Sequence, residues 1–302
     1  MSEQFVQHVE PEEAFAALTD ETRLKILQVL WESDIQTVTF SELRRAVGMR
    51  DPGQFNYHLD KLVGQFVTKT DEGYRLTQAG KHVNGAIASG MYTAHGTIDP
   101  IVLDHSCQKS GEAIMLRYEN ETVQVGCGSC SFCPSGWKAP VPPAVFAGYD
   151  RDEIPEVVSR YFRTKVQQVT NGFCPYCNGQ MKSAVKLFDT MGDGPSPADR
   201  SEELNDLSLD PVVRFDCQRC SARSRIALYH ALLLTDPVVT SFYCENGVVV
   251  QERPIWEISE LSPARIDIES RNPVQVNVMY RVDESTLIIV VDETFNIVDI
   301  EK

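Results

Sequence analysis

Two Cys-x-x-Cys pairs constrain what this chain can fold into more than any other feature of its 302 residues. They are Cys174–Cys177 and Cys217–Cys220, separated by 39 residues. Such a turn presents two thiolates to one ion, and two turns on adjacent hairpins complete the tetrahedron that Zn²⁺ prefers. Both pairs lie in polar, hairpin-like sequence and not before a long helix, as a thioredoxin-type motif would. We therefore expect a zinc ribbon with these four cysteines as ligands, and a redox-active dithiol as the alternative.

An earlier segment looks like an imperfect copy of this arrangement. Its cysteines, which form a candidate second metal site, are Cys107, Cys127, Cys130 and Cys133. Ser110 stands where the first pair would have its second cysteine, and serine is a poor zinc ligand. Three interpretations stay open: a hairpin that has lost its metal, a site completed by Cys133 or His105, and a thiol-based switch or metal sensor.

The composition indicates a folded intracellular protein. At 302 residues, of which 42% are hydrophobic, two or three domains are expected. No apolar run approaches the ~20 residues of a membrane span, and residues 1–13 have neither a basic flank nor an apolar stretch. We therefore expect a cytoplasmic protein without membrane contact, in which most of the nine cysteines bind metal and do not form disulfides.

The charge is distributed unevenly. The chain carries a net charge of −15, whereas residues 41–81 contain seven basic and five acidic side chains. A local basic face on an acidic body is what selective contact with DNA requires. The overall acidic excess resembles the surface of proteins from salt-in halophiles, and ordinary acidic solubility is the alternative explanation.

The first 65 residues predict three helices. Residues 15–31 form a core helix with Leu24, Leu27 and Trp31 on its inner face and Asp20 as N-cap, and residues 39–42 open a short second helix with a capping box. Residues 52–65 form the third helix, whose inner face carries Phe55, Leu59 and Leu62. Its open face mixes donors, acceptors and an aromatic ring, a combination suited to base edges and phosphates.

A hairpin follows over residues 66–77, with its turn at residues 71–73 and with Lys69 and Arg75 near its tip. Three short helices followed by a basic hairpin are typical of a winged helix-turn-helix domain that binds double-stranded DNA, although some such domains bind proteins. The candidate DNA-binding residues are Arg44, Arg45, Arg50, Gln54, Asn56, Tyr57, His58, Lys61, Lys69 and Arg75. We expect the arginines and lysines mainly to contact phosphates, and Gln54, Asn56 and Tyr57 to read bases.

The segments FAALTDETRLKILQVLW, FSELRRAVGMRDPGQFNYHLDKLVGQFV and GYRLTQAGKHV together resemble the ArsR-type winged helix domain, particularly its haloarchaeal members, over about residues 10–95. The resemblance implies that residues 52–65 are the recognition helix and that the protein is a homodimer. Val83, Ile87 and Met91 are the candidate residues of the dimer interface. Metal sensing within this domain is not expected, because no cysteine precedes Cys107.

The second half predicts an α+β domain. Helices are expected over residues 154–169, 223–234 and 236–247, with Cys244 buried in the last, and an antiparallel meander is expected over residues 264–299. This region resembles the uncharacterised carboxy-terminal domain that follows the winged helix in haloarchaeal regulators. Residues 1–97 are thus expected to form the DNA-binding domain, residues 98–148 a degenerate zinc-ribbon-like segment and residues 149–302 the zinc-ribbon domain.

The sequence therefore predicts a dimeric, sequence-specific transcriptional regulator with structural Zn²⁺. A regulator that senses a ligand, metal or oxidant and a zinc-ribbon interaction scaffold are the alternatives, and no small-molecule effector is identified. No phosphate-binding loop, catalytic triad or His-Glu-x-x-His motif is present, so an enzyme is not expected.

Overall fold

The computed structural model describes residues 9–33, 37–107, 109–130, 136–187, 211–261 and 265–302. The chain divides into two compact units. Unit 1 is Met1–His95 with Pro142–Ala144, and unit 2 is Gly96–Val141 with Val145–Lys302. Together the described residues form a mixed α+β structure with four antiparallel sheets. None of the described helices combines the length and apolarity needed to cross a membrane.

Unit 1 contains five helices and one hairpin among the described residues. They are α1 Pro11–Ala16, α2 Glu21–Glu32, α3 Phe40–Val47, α4 Pro52–Asp60, β1 Val67–Thr70, β2 Gly73–Leu76 and α5 Gln78–Ala88. The predicted caps are present: the Asp20 carboxylate accepts from the amide of Arg23, and Thr39 and Glu42 form a capping box. Gly48 ends α3 with a φ of +82°, a conformation that favours glycine.

The core of unit 1 lies between α2, α3, α4 and the hairpin. Phe55, Leu59 and Leu62 are fully buried in it, as predicted. The predicted inner face of α2 is wrong at Trp31, which is 48% exposed, whereas Leu30 is buried. The residues of α2 that are buried are Ile26, Leu27 and Leu30. The run LKILQVLW offers apolar side chains on two adjacent faces, and packing against α3 and α4 selects between them.

Unit 2 begins with a meander of four strands followed by the longest described helix. The strands β3 Ile98–Ser106, β4 Ala113–Glu119, β5 Thr122–Gly126 and β6 Trp137–Pro140 pair in chain order, and α6 Ile154–Thr170 follows. The sequence placed a boundary between residues 148 and 149, but the structure places both sides of it in one unit. Leu116 of β4 and Val158 of α6 belong to the same buried cluster, so the two segments share a core.

The rest of unit 2 contains two further sheets and two α-helices among its described residues. The elements are β7 Met181–Lys186, β8 Val212–Cys217, β9 Arg223–Ala227, α7 Leu228–Thr235, α8 Pro237–Glu245, β10 Arg265–Arg271, β11 Val274–Val282, β12 Ser285–Asp292 and β13 Ile297–Glu301. Strands β7 to β9 form one sheet, and β10 to β13 form the predicted closing meander.

Two predictions for this region need correction. The helix expected over residues 223–234 is a strand as far as Ala227, because β9 pairs with β8, and only then a helix. The helix that follows the strand, α7, is buried from Leu228 to Leu234 and is therefore a core helix. Cys244 is exposed and not buried, since α8 turns Val239, Phe242 and Tyr243 toward the core instead.

Candidate functional site

The four cysteines of the two Cys-x-x-Cys pairs meet at one point in unit 2. The first pair precedes β7, and the second lies where β8 ends, so the pairing of Met181 with Cys217 brings them together. Their sulfur atoms all lie within 4.8 Å of one another. The Sγ atoms of Cys174 and Cys220 are 3.6 Å apart, and those of Cys177 and Cys217 are 3.5 Å apart. This four-cysteine cluster could hold a metal ion.

Both turns of the four-cysteine cluster have the same backbone structure. The amide of Cys174 donates to the carbonyl of Gly179, and the amide of Cys217 donates to that of Ala222, each at 2.9 Å. The residue after each second cysteine, Asn178 or Ser221, has a positive φ of 54° or 58°. This residue with its left-handed backbone reverses the chain direction, so both thiols of a pair lie on the same side of the turn.

The electrostatics of the four-cysteine cluster favour a first thiolate and oppose a second. The amides of Cys220 and Arg219 donate to Cys217 at 3.4 Å each and lower the pKa of this thiol to about 6. The amide of Ala222 favours ionisation of Cys220, but hydrogen bonds with the other thiols, together with burial, raise its pKa to about 12. Adjacent thiolates repel each other, and a cation between them removes that repulsion.

A second group of thiols, the three-cysteine cluster, consists of Cys107, Cys127 and Cys130. Their sulfur atoms also lie within 4.8 Å of one another and could hold a metal ion, with 3.7 Å between Cys107 and Cys130. His105 does not belong to this group. Cys133 lies outside the described residues.

The side chain of Ser110 lies beside the three-cysteine cluster and favours ionisation of its thiols. Burial opposes ionisation of Cys127 most strongly, but the bonds from Ser110 and from the amides of Cys130 and Ser129 outweigh it and lower the pKa of Cys127 to about 6. Sequence reasoning treated Ser110 as a lost ligand, and only the structure places its side chain beside the thiols.

Helix α4 of unit 1 presents the predicted polar face to solvent. Gln54, Asn56 and Tyr57 are exposed, with Tyr57 at 61%, while Phe55 and Leu59 hold the helix in the core. The Asn56 amide donates to Asp60 at 2.7 Å, and the ammonium of Lys61 lies 5.7 Å from the centre of the Tyr57 ring. The face therefore has donors, acceptors and an exposed aromatic ring.

Two further candidate DNA-binding residues, His58 and Arg44, contact other parts of unit 1. The Nδ1 atom of His58 lies 3.2 Å from the Asp20 carboxylate, so this ring faces the start of α2. The Arg44 guanidinium donates to the carbonyls of Met49 and Arg50, at 3.1 and 2.6 Å, and closes the turn between α3 and α4. These contacts give both residues a positioning role that the sequence did not reveal.

The other predicted cations are at the surface. Arg45, Arg50, Lys61, Lys69 and Arg75 are all exposed. Lys69 and Arg75 lie on the paired strands β1 and β2, in adjacent rungs of the hairpin. Of the residues offered for a dimer seam, Val83 packs on the core of unit 1, Ile87 is 41% exposed, and Met91 lies beyond the end of α5.

The fold and the thiol clusters thus define a two-unit α+β protein with two candidate metal centres. Residues 104–297 match the model of a domain of unknown function, DUF7351, and because this match spans well over half of the chain, the chain belongs to that family. Residues 11–87 match a second domain of unknown function, DUF7347. No curated protein matches the chain.

Proposed function

We propose that this protein is a sequence-specific DNA-binding transcriptional regulator, in which unit 1 is a winged helix-turn-helix domain and unit 2 carries structural zinc. The observation that carries the proposal is the outward face of α4, where Gln54, Asn56 and Tyr57 are exposed on a helix anchored by Phe55 and Leu59. An exposed polar helix held rigidly from behind is what reading the major groove requires.

The surroundings of α4 support this proposal. Arg44 fixes the turn between α3 and α4, and the caps of both helices are formed by side chains. A rigid entry turn sets the angle at which a recognition helix meets the groove. The hairpin carries Lys69 and Arg75, which can reach flanking phosphates and so compensate locally for the acidity of the chain.

Zinc is the metal we propose for the four-cysteine cluster. Four sulfurs bound tetrahedrally at about 2.3 Å lie about 3.8 Å apart, close to the 3.5 and 3.6 Å found between paired thiols. An all-thiolate tetrahedral site leaves no position open for a substrate, which favours a structural role.

The DNA-binding proposal is tested by selecting sequences from a random duplex library with the full chain. We expect enrichment of a two-fold symmetric site with half-sites about one helical turn apart, as a dimer would require. Fluorescence anisotropy should then give an affinity that falls steeply with salt. Failure to enrich any sequence, together with salt-independent binding, would reject the proposal.

Two variants separate the assigned roles. Asn56→Ala should relax specificity at one position of the selected site, costing about 1–3 kcal/mol on that site and little on scrambled DNA. Lys69→Ala should weaken binding to both sequences alike and lower the salt slope by about one. Lys182→Ala, an exposed lysine of unit 2, serves as the control for a general loss of charge. Equal losses on both DNAs for Asn56→Ala would contradict its role in base reading.

A further inference from the structure

The turn that contains Cys107 and Ser110 is folded like the turns of the four-cysteine cluster. The amide of Cys107 donates to the carbonyl of Glu112 at 2.8 Å, as Cys174 does to Gly179 and Cys217 does to Ala222. Gly111, directly after Ser110, has a φ of +72°, at the position that Asn178 and Ser221 hold in the other turns. The metal-binding backbone is therefore complete here, although Ser110 stands where the second thiol would be.

The amides that stabilise thiolates are also in place. In the four-cysteine cluster, Cys217 accepts from the amides two and three residues later. The amides of Lys109 and Ser110 likewise favour ionisation of Cys107, and those of Ser129 and Cys130 favour ionisation of Cys127. Backbone amides that favour neighbouring thiolates suit a cluster that binds a cation.

Ser110 stands at the fourth corner of this arrangement, because it holds the place of the second cysteine in a turn that has the same backbone structure. Ser110 is exposed, while Cys107 and Cys127 are buried. The fourth position thus lies on the side open to solvent.

We propose that Cys107, Cys127 and Cys130 bind a second zinc-like, thiophilic metal ion through three thiolates, and that the fourth coordination position, beside Ser110, is filled by a neutral oxygen ligand that exchanges with solvent. Three protein ligands and one exchangeable position are typical of zinc sites that accept an outside ligand, in contrast to closed structural sites. This metal ion therefore leaves more readily than the ion of the four-cysteine cluster. The proposal does not depend on DNA binding.

The test uses the full chain loaded with zinc, its metal content measured by elemental analysis and native mass spectrometry, and a chromogenic chelator to follow release. We expect two zinc ions per chain and two kinetic phases, one fast and one slow. Ser110→Cys should keep two ions and slow the fast phase by at least about tenfold, the smallest effect typical of changes around a metal. Ser110→Ala should retain both ions and the fast phase, because all three thiolates remain.

Cysteine variants assign the fast phase. Cys127→Ser should remove one ion together with the fast phase, while Cys244→Ser, at an exposed cysteine outside both clusters, should keep both ions. One ion in the wild-type chain and two in Ser110→Cys would overturn the proposal, since the three thiols would then bind no metal unaided. Loss of the second ion in Cys133→Ala would also overturn it, by assigning the fourth position to that thiol. If Cys127→Ser fails to fold, the comparison of Ser110→Cys with the wild-type chain still tests whether the three thiols bind a second ion.

Discussion

His230 shows how far one buried side chain can depart from its behaviour in water. Its ring is fully enclosed in unit 2, where it stacks on Trp137 with 5.2 Å between ring centres and contacts Tyr229 at 4.2 Å. Burial lowers the pKa of His230 to about 3. The folded protein therefore keeps this imidazole neutral at any pH at which it would function.

The stability of unit 2 should consequently decrease in acid through His230. An unfolded histidine takes up a proton below a pH of about 6.5, whereas the folded one does so only near 3, so the contribution is complete above 6.5 and is lost as the pH falls. Relative to His230→Phe, the wild-type free energy of unfolding should fall by up to about 1.4 kcal/mol per pH unit below 6. Urea unfolding of both proteins between pH 7.5 and 5 measures this difference, in which the acid sensitivity of the metal centres cancels.

His82→Gln, at an exposed histidine of unit 1, serves as the control for the replacement of a histidine outside the core of unit 2. A constant offset between wild type and His230→Phe across this range would mean that His230 titrates normally.

Arg44 and Arg45 are adjacent, yet their replacement should have different effects. Arg44 donates to two carbonyls of the following turn, while Arg45 is exposed. Arg44→Ala should lower the free energy of unfolding of unit 1 by about 1–2 kcal/mol, and Arg45→Ala should change it by less than about 0.5 kcal/mol. Chemical unfolding monitored in unit 1 distinguishes them, and equal effects would show that the turn does not depend on Arg44.

At the scale of elements, the hairpin of unit 1 depends on Gly73. The backbone of the neighbouring Tyr74 exchanges two hydrogen bonds with Val38, at 2.8 and 2.9 Å, which joins β2 to the segment before α3. Gly73 has a φ of +149°, and a Cβ atom there would lie 2.3 Å from the Val38 carbonyl oxygen. No side chain fits without separating these segments.

Gly73→Ala should therefore destabilise unit 1 by roughly 2 kcal/mol or more, through strain and loss of the bridge to Val38. Gly85→Ala is the matched control, because it lies within α5 and its added methyl group would meet nothing within 4 Å. That change should stabilise the helix by about 0.5–1 kcal/mol. Thermal unfolding compares the two, and tolerance of Gly73→Ala would argue against a close contact at Val38.

Local signals predicted the elements well wherever a capping residue or an alternating pattern marked them. The capping box at Thr39, the burial of Phe55 and Leu59, and the closing meander were all predictable from the sequence. The burial of Leu30 rather than Trp31 was not predictable, because α2 is apolar on two faces and tertiary packing selects one. The strand at residues 223–227 was missed for the same kind of reason, since its pairing partner β8 is not local.

The candidate metal site was predictable in its ligands but not in its details. The spacing of Cys174, Cys177, Cys217 and Cys220 anticipated a cluster that the structure assembles and that could hold a metal ion. The convergence of Cys107, Cys127 and Cys130 depends on how β3 and β5 pair through β4, which no local pattern encodes.

At the scale of the whole molecule, the two units should respond differently to metal removal. The buried core of unit 1 contains no cysteine among its described residues, whereas Cys107, Cys174 and Cys217 belong to the core of unit 2. Zinc ligands must be deprotonated and held together, so chelation or acid should loosen unit 2 first. In calorimetry, a chelator should lower the midpoint temperature of only one unfolding transition. In hydrogen exchange, the amides of helices α2 to α5 should stay protected. A single transition that shifts as a whole would contradict this independence.

The four-cysteine cluster also has a consequence for how this chain can vary. A metal ion bound by both pairs would cross-link the chain across the 39 residues between them. The free-energy cost of closing such a loop grows only with the logarithm of its length. The relative position of the two cysteine pairs is set by the β-sheet register that pairs Met181 with Cys217, and not by the length of the connection. A change in the number of residues between 187 and 211 should therefore leave the four thiols in register.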